Sequence, residues 1–151
     1  MRENKLINII IIASILAIIT SGYLIYVHYS KTTSFCDISK QISCDVVNKS
    51  IYAEVFNIPV SLISLLVFSF ILLISFYIKD NEEFFGFNKK ELVHMIFILM
   101  IISSIIALYL IYIELFVLYS ICVLCVLLDI LILTIFISII KLHDSINLYN
   151  S

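Results

Sequence analysis

Four cysteines are the residues of this 151-residue chain best suited to chemistry, and they fall into two pairs. Cys122-Val-Leu-Cys125 stands where a long apolar run begins, with Ser120 as its expected N-cap. Residues three apart are neighbours on a helix face, about 5–6 Å between Cβ atoms. That is slightly beyond relaxed disulfide geometry, so a bridge between them can close and reopen with modest strain. A helix N-terminus also makes a thiol more reactive. A bridge across three residues closes almost no loop and adds little stability, which argues against an inert bond. Spacing and position together point to thiol–disulfide redox chemistry.

Cys36 and Cys44 form a C-x7-C pair in a stretch that reads as a loop. Bridging them would constrain the unfolded chain by roughly 2.5 kcal/mol, so a structural role stands beside a redox one. Cys44 follows Ser43, an expected N-cap, and precedes Asp45, a setting that can activate it as helix four activates Cys122. Two couples, one in a loop and one at the membrane edge, suit a relay in which exchange through a mixed disulfide moves electrons inward. A zinc site made of all four is the competing metal reading. One C-x2-C and one C-x7-C match the usual knuckles poorly, and no metal is expected.

Asp129 completes the pattern. Cys122, Cys125 and Asp129 fall at i, i+3 and i+7 of one helix face. An ionisable residue at membrane depth is costly and by default suggests function. In its neutral form it can donate a hydrogen bond or a proton; alternatively it pairs with a hydroxyl such as Ser103 or Ser104.

The elements that must hold these residues are membrane spans. Hydrophobic residues make up 63% of the chain, charged ones 13%, and there are only two Gly and one Pro. So few charges cannot cover a water-soluble surface, and the solvent must be mostly lipid. The net charge of -2 leaves no electrostatic footprint for nucleic acid. Four continuous apolar runs, Leu6–Val27, Ile58–Ile78, Leu92–Ile113 and Ile121–Ile140, are each about the 20 residues a helix needs to cross the hydrocarbon. A membrane β-barrel would alternate instead. The expected fold is an all-α four-transmembrane-helix bundle forming one domain over residues 1–151. The first run is expected to be an uncleaved anchor, since its apolar core is long and Val27-His28-Tyr29 offers no small-residue cleavage site.

Both termini then share one side with Arg2, Lys5, Lys79, Lys89, Lys90 and Lys141, against Lys31, Lys40 and Lys49 on the other. That asymmetry predicts cytoplasmic termini. It places all four thiols at the outer face, where disulfides form and persist. In the outer loop, about residues 28–57, Val46, Val47, Ile51, Val55 and Phe56 recur at helical spacing. They predict a short amphipathic helix over Ser43–Phe56, lying on the membrane, with Pro59 opening helix two. The inner loop Lys79–Glu91 is charged, with Phe84, Phe85 and Phe87 expected in the interface. Tyr23, Tyr26, Tyr29, Tyr109, Tyr112 and Tyr119 read as an aromatic belt, and His28 as interfacial.

The order Cys36-Asp37, a seven-residue spacer, Cys44, then Ser50, then Cys122-x-x-Cys125 opening the last span resembles the vitamin K epoxide reductase family over nearly the whole chain. The other quinone-dependent disulfide-forming membrane family carries its C-x-x-C in the first outer loop and fits worse. The resemblance implies a bundle enclosing a quinone, of menaquinone or ubiquinone type, near the outer face. It implies that Cys125 faces the quinone with Cys122 as its partner. Cys44 would exchange with Cys122, and Cys36 with an extracytoplasmic thioredoxin-like protein. Ser50 matches the family's loop serine, expected to hydrogen-bond near the quinone. Asp129 stands where the animal enzymes carry a tyrosine, and Val60 aligns with their quinone-contacting asparagine. These departures favour simple quinone reduction over vitamin K epoxide reduction. No fused thioredoxin-like domain is expected, so the partner is expected to be a separate protein. The expected function is therefore a membrane thiol oxidoreductase that supports disulfide formation by passing electrons from that partner to a quinone. The competing classes are a non-catalytic scaffold with static disulfides and a metal-handling membrane protein; a redox titration separates labile couples from inert ones.

Overall fold

The computed structural model describes residues 2–80, 86 and 88–149. Its elements are α1 (Arg2–Tyr29), α2 (Cys44–Asn48), a 3₁₀ turn (Ile51–Ala53), β1 (Glu54–Val55), β2 (Ile58–Pro59), α3 (Val60–Asp80), α4 (Lys89–Ile113) and α5 (Val123–Tyr149). Among the described residues, four helices are long and apolar enough to cross a membrane: Glu3–Tyr29, Val60–Asp80, Lys89–Leu118 and Val123–Ile146. The protein is a multi-pass helical membrane protein. Most spans run past the apolar cores that hydropathy marks, because charged residues such as Glu3, Asp80 and Glu91 continue the helices beyond the hydrocarbon. At the start of α4 the Glu91 carboxylate accepts the Asn88 N–H at 2.9 Å. Lys89 bonds Glu3 at 3.0 Å, so α4 and α1 begin at the same end of the bundle.

Each span is apolar on both faces, as a lipid-solvated helix must be. Ile12 and Ile19 of α1, Leu66 of α3, Ile105 of α4 and Leu133 of α5 point outward. Inward, Ile10 and Leu24 of α1 pack with Phe68, Ile71 and Ile74 of α3, Ile96 and Met100 of α4, and Ile135 and Ile139 of α5. Lipid tails supply no hydrophobic drive between helices, so close approach of small residues matters more. Ser14, Ala17 and Ser21 are fully buried along one face of α1. Ser21 and Ser64 tie α1 to α3 through a hydroxyl–hydroxyl bond of 2.9 Å.

The segment between α1 and α3 differs from the single helix expected over Ser43–Phe56. Its helical part, α2, ends after one turn, where the Lys49 N–H bonds back to Asp45 and Val47 and the Ser50 hydroxyl takes the Val47 carbonyl at 2.7 Å. The amide of Asn48 is engaged by the Leu24 carbonyl of α1, which fixes the turn in place. Phe56 and Asn57 then adopt left-handed φ of 54° and 63°, closing a two-residue hairpin in which Val55 pairs with Ile58 and Glu54 with Pro59. Pro59 thus ends β2 immediately before α3 opens at Val60. His28 locks this cap to α1: Nδ1 donates to the Asn48 carbonyl at 2.7 Å, and Nε2 lies 3.2 Å from the Glu54 carboxylate. Tyr26, Tyr29, Tyr109, Tyr112 and Tyr119 are exposed around the same end, as an interfacial belt would be. Phe84, Phe85 and Phe87 lie outside the described residues.

Candidate redox site

Cys36 and Cys44 are joined in a disulfide with a Cα–Cα distance of 5.6 Å. Both are buried, and the loop around them is held by specific bonds. The Ser34 N–H donates to both oxygens of Asp45 at 3.3 Å, and the Ser34 hydroxyl lies 3.4 Å from the Cys36 sulfur. Ser39 and Ile42 pair in a tight turn that brings the chain back toward Cys44. Ser43 caps α2 as expected, its hydroxyl accepting the Val46 N–H at 3.1 Å.

The two couples meet through backbone pairing. Ile42 and Ile121 form a parallel bridge, in which the Ser43 N–H donates to the Ile121 carbonyl at 3.1 Å and the Ile121 N–H to the Gln41 carbonyl at 2.9 Å. Cys44 therefore follows one side of the bridge and Cys122 the other, both fully buried. This pairing keeps residues 120–122 extended and corrects the expected cap. The helix begins at Val123, and the sulfur of Cys122, not Ser120, accepts a first-turn N–H, that of Cys125, at 3.2 Å. The Ser120 hydroxyl is buried with no partner among the described residues. Cys122 and Cys125 are free thiols.

The connection Glu114–Ser120 is not an irregular loop. Helix α4 widens into a π-helical turn over Glu114–Leu118 and reverses at Tyr119, which is left-handed at φ 50°. Glu114 is 5% exposed, and its carboxylate accepts the Cys122 N–H at 3.2 Å while its carbonyl accepts that of Ser120 at 3.1 Å. Its side chain has no cationic partner among the described residues.

Below this junction lies a cavity of about 180 Å³ between α3, α4 and α5, roofed by Val47, Asn48 and Ala53. Its walls are mostly apolar, including Leu24, Val60, Phe68, Ile102, Leu110 and Leu128. The polar groups facing it are few: Cys125, Glu114, Asp129, Ser61, Ser64 and Ser103. Ser64 donates to its own helix at the Ser61 carbonyl, whereas the Ser61 hydroxyl is buried with no partner among the described residues. An apolar slot with a few convergent polar groups is the usual form of a small-molecule site.

The six residues singled out from sequence do not all converge. Cys125 and Asp129 share the cavity wall, one turn apart. Cys44 and Cys122 lie beside it on paired segments, and Cys36 is bridged to Cys44. Ser50 does not line the cavity; its hydroxyl is spent on the Val47 carbonyl. Ser104 donates to Met100 and leaves Asp129 to the cavity. Sequence reasoning missed Glu114 and Ser61. A signal for Glu114 was present, since an acid ends an apolar run of 22 residues shortly before a C-x-x-C.

No curated protein matches the chain. The model of the vitamin K epoxide reductase family matches residues 8–140, a stretch that holds all four cysteines, the hairpin cap and the cavity. The chain belongs to the vitamin K epoxide reductase family of membrane oxidoreductases.

Proposed function

We propose that the protein oxidises the dithiol of a thioredoxin-like partner outside the cell membrane and passes the two electrons to a quinone. The observation that carries this reading is the Ile42–Ile121 bridge, which seats a closed loop disulfide against the open C-x-x-C couple, whose second thiol faces an apolar cavity. A partner thiolate attacks Cys36, forming a mixed disulfide and releasing the Cys44 thiolate. A second partner thiol resolves that bond and leaves Cys36 and Cys44 reduced. Cys44 then attacks Cys122 of an oxidised Cys122–Cys125 bond and releases the Cys125 thiolate; Cys36 resolves the mixed disulfide, which re-forms Cys36–Cys44 and leaves Cys122 and Cys125 reduced. A quinone in the cavity supplies the oxidising power, taking two electrons and two protons in all.

The cavity lining fits such an acceptor. A flat apolar ring needs apolar walls, which Val60, Phe68, Ile102 and Leu128 supply. Its carbonyl oxygens need donors: the buried Ser61 hydroxyl lacks a partner, and Asp129 can offer a proton when its carboxyl is protonated. Ser50 belongs to this reading as a residue that holds the roof, through its bond to Val47. Exclusion of water and of stray thiols falls to the α2 and hairpin cap. The charge distribution supports a cysteine end that faces outward: six Lys and Arg lie at the terminal end and three at the cysteine end. The test is purified protein with a reduced thioredoxin-like substrate and quinones of the menaquinone and ubiquinone types, followed by absorbance. Quinol formed in step with partner disulfide is the expected result; partner oxidation without quinol, or no turnover, rejects the reading.

A further inference from the structure

Glu114 has no part in the relay just described, yet it bonds Cys122 and lines the cavity with Cys125. Its carbonyl and its carboxylate hold the Ser120–Cys122 segment by two backbone bonds, and its side chain lines the cavity with Cys125 and Asp129. Glu114 and Asp129 also line an open groove between α4 and α5 among exposed residues such as Leu115, Ile130 and Leu133, so both carboxyls stand between the cavity and the outer surface of the bundle. A carboxyl in an apolar wall is costly to keep. A neutral glutamine would accept the same Cys122 N–H at lower cost, so the cap alone does not explain an acid here. The buried, unpartnered Ser61 hydroxyl lining the same cavity points independently to a polar ligand within reach.

We propose that Glu114 is the proton carrier of the site: its carboxylate takes the S–H proton of Cys125 as the Cys122–Cys125 disulfide forms, and passes it to an oxygen of the quinone in the cavity. This rests on the quinone reading above. The balance is closed. Formation of the S–S bond releases two electrons and two thiol protons. The quinone takes both electrons, and its two carbonyl oxygens become hydroxyls. One proton travels through Glu114, which ends the cycle as the carboxylate it began as. The other goes to the second oxygen, with Asp129 the other carboxyl on that wall able to hold it.

The experiment uses the full chain in lipid nanodiscs. Quinone-free protein is taken from reduced to oxidised electrochemically, and infrared difference spectra are recorded. A carboxyl C=O band that shifts when the glutamates alone are isotope-labelled, and that is lost in Glu114→Gln, is expected. A band that ignores the glutamate label, or that survives in Glu114→Gln, overturns the proposal whether or not quinone is ever reduced. Stopped-flow reduction of quinone by the pre-reduced Glu114→Gln protein should then be slower by about 100-fold, the low end of what a positioned acid–base group contributes. Exchange between the loop couple and Cys122 should keep its wild-type rate, because Gln retains the bond to the Cys122 N–H. Equal slowing of both steps assigns Glu114 a structural role and overturns the proposal, as does wild-type quinone kinetics. If the wild-type protein reduces no quinone while the labelled band is present, the quinone reading falls and the proton site at Glu114 stands. Should Gln fail to fold, Glu114→Asp decides: the glutamate-labelled band must vanish and a band insensitive to the glutamate label must replace it.

Discussion

The sulfur of Cys122 accepts the backbone N–H of Cys125 at 3.2 Å, so the residue that opens the C-x-x-C pair also caps the helix that carries it. Closing the disulfide withdraws this sulfur from its capping role and bonds it to the residue it was capping. Redox state and the first turn of α5 are therefore linked. Replacing a side-chain cap by alanine typically costs about 1 kcal/mol, whereas serine keeps an acceptor. Cys122→Ala should thus melt lower than Cys122→Ser in detergent, and both should lose quinone-coupled thiol oxidation while still inserting. Equal melting of the two variants removes the capping role; full activity in either one ends the relay.

The junction between the couples depends on backbone groups that side-chain substitutions leave untouched. Ile121→Pro removes the N–H that bonds the Gln41 carbonyl at 2.9 Å and lies before the first helical residue, where proline does not break α5. Loss of one such bond is worth about 0.5–1.5 kcal/mol, so transfer from the loop couple to Cys122 should slow by roughly 2- to 13-fold. Oxidation of Cys122–Cys125 by quinone after chemical reduction should be unaffected. Stopped-flow measurement of each half-reaction checks this, and slowing confined to the quinone step would refute it.

Cys36 is buried between two exposed apolar neighbours, Phe35 and Ile38, each 72% exposed. That surface suits contact with a protein partner better than with a small reductant. Cys36→Ala should block turnover with a thioredoxin-like protein but spare oxidation of a small dithiol able to reach Cys122. Turnover assays with the two reductants decide it; equal loss with both would show that Cys36 is not the partner-facing thiol.

Sidedness can be read directly. An impermeant thiol reagent applied to intact, reduced cells should label Cys36 or Cys44, and a cysteine introduced by Asn88→Cys at the opposite end should stay unlabelled. The reverse pattern would invert the orientation and put the thiols in a reducing compartment.

The four spans were legible because lipid imposes a single simple demand, about 20 apolar residues in a row. Their ends were not, because charged first and last turns continue a helix beyond the hydrocarbon. The apolar spacing of Val46, Val47, Ile51, Val55 and Phe56 suggested one helix, but the Asn48 amide is used on Leu24 and Phe56 is left-handed, and neither event has a local signal. Ser120 had the right chemistry for a cap and lost the role to Cys122, because a bridge between residues 79 apart in sequence holds Ile121 extended. The cavity is likewise a product of three helices at once. Spacing on a single helix, as for Cys122, Cys125 and Asp129, could be read from the chain; the approach of Glu114 and Ser61 from α4 and α3 required the packing.

Asp129 lines the cavity that Cys125 faces, whose walls hold few other polar groups. At 1.5 Å rise per residue it lies about 10 Å deeper than Cys122 along α5. It lines the cavity one turn beyond Cys125, among apolar side chains, and the unpartnered Ser61 hydroxyl of α3 lines the same cavity. A carboxyl group there can donate to an oxygen of the ligand in its neutral form. Asparagine retains a donor but has no titratable proton, whereas leucine removes both and presents only apolar atoms. One hydrogen bond between neutral partners is worth about 0.5–1.5 kcal/mol, so Asp129→Leu should raise the apparent KM for quinone by roughly 2- to 13-fold. Asp129→Asn should raise it less. Because leucine also suits an apolar wall, thermal stability should hold or rise in Asp129→Leu. Steady-state kinetics at varied quinone, with melting measured on the same preparations, separate the outcomes. Unchanged quinone kinetics with altered melting would make Asp129 a structural residue and leave ligand donation to Ser61.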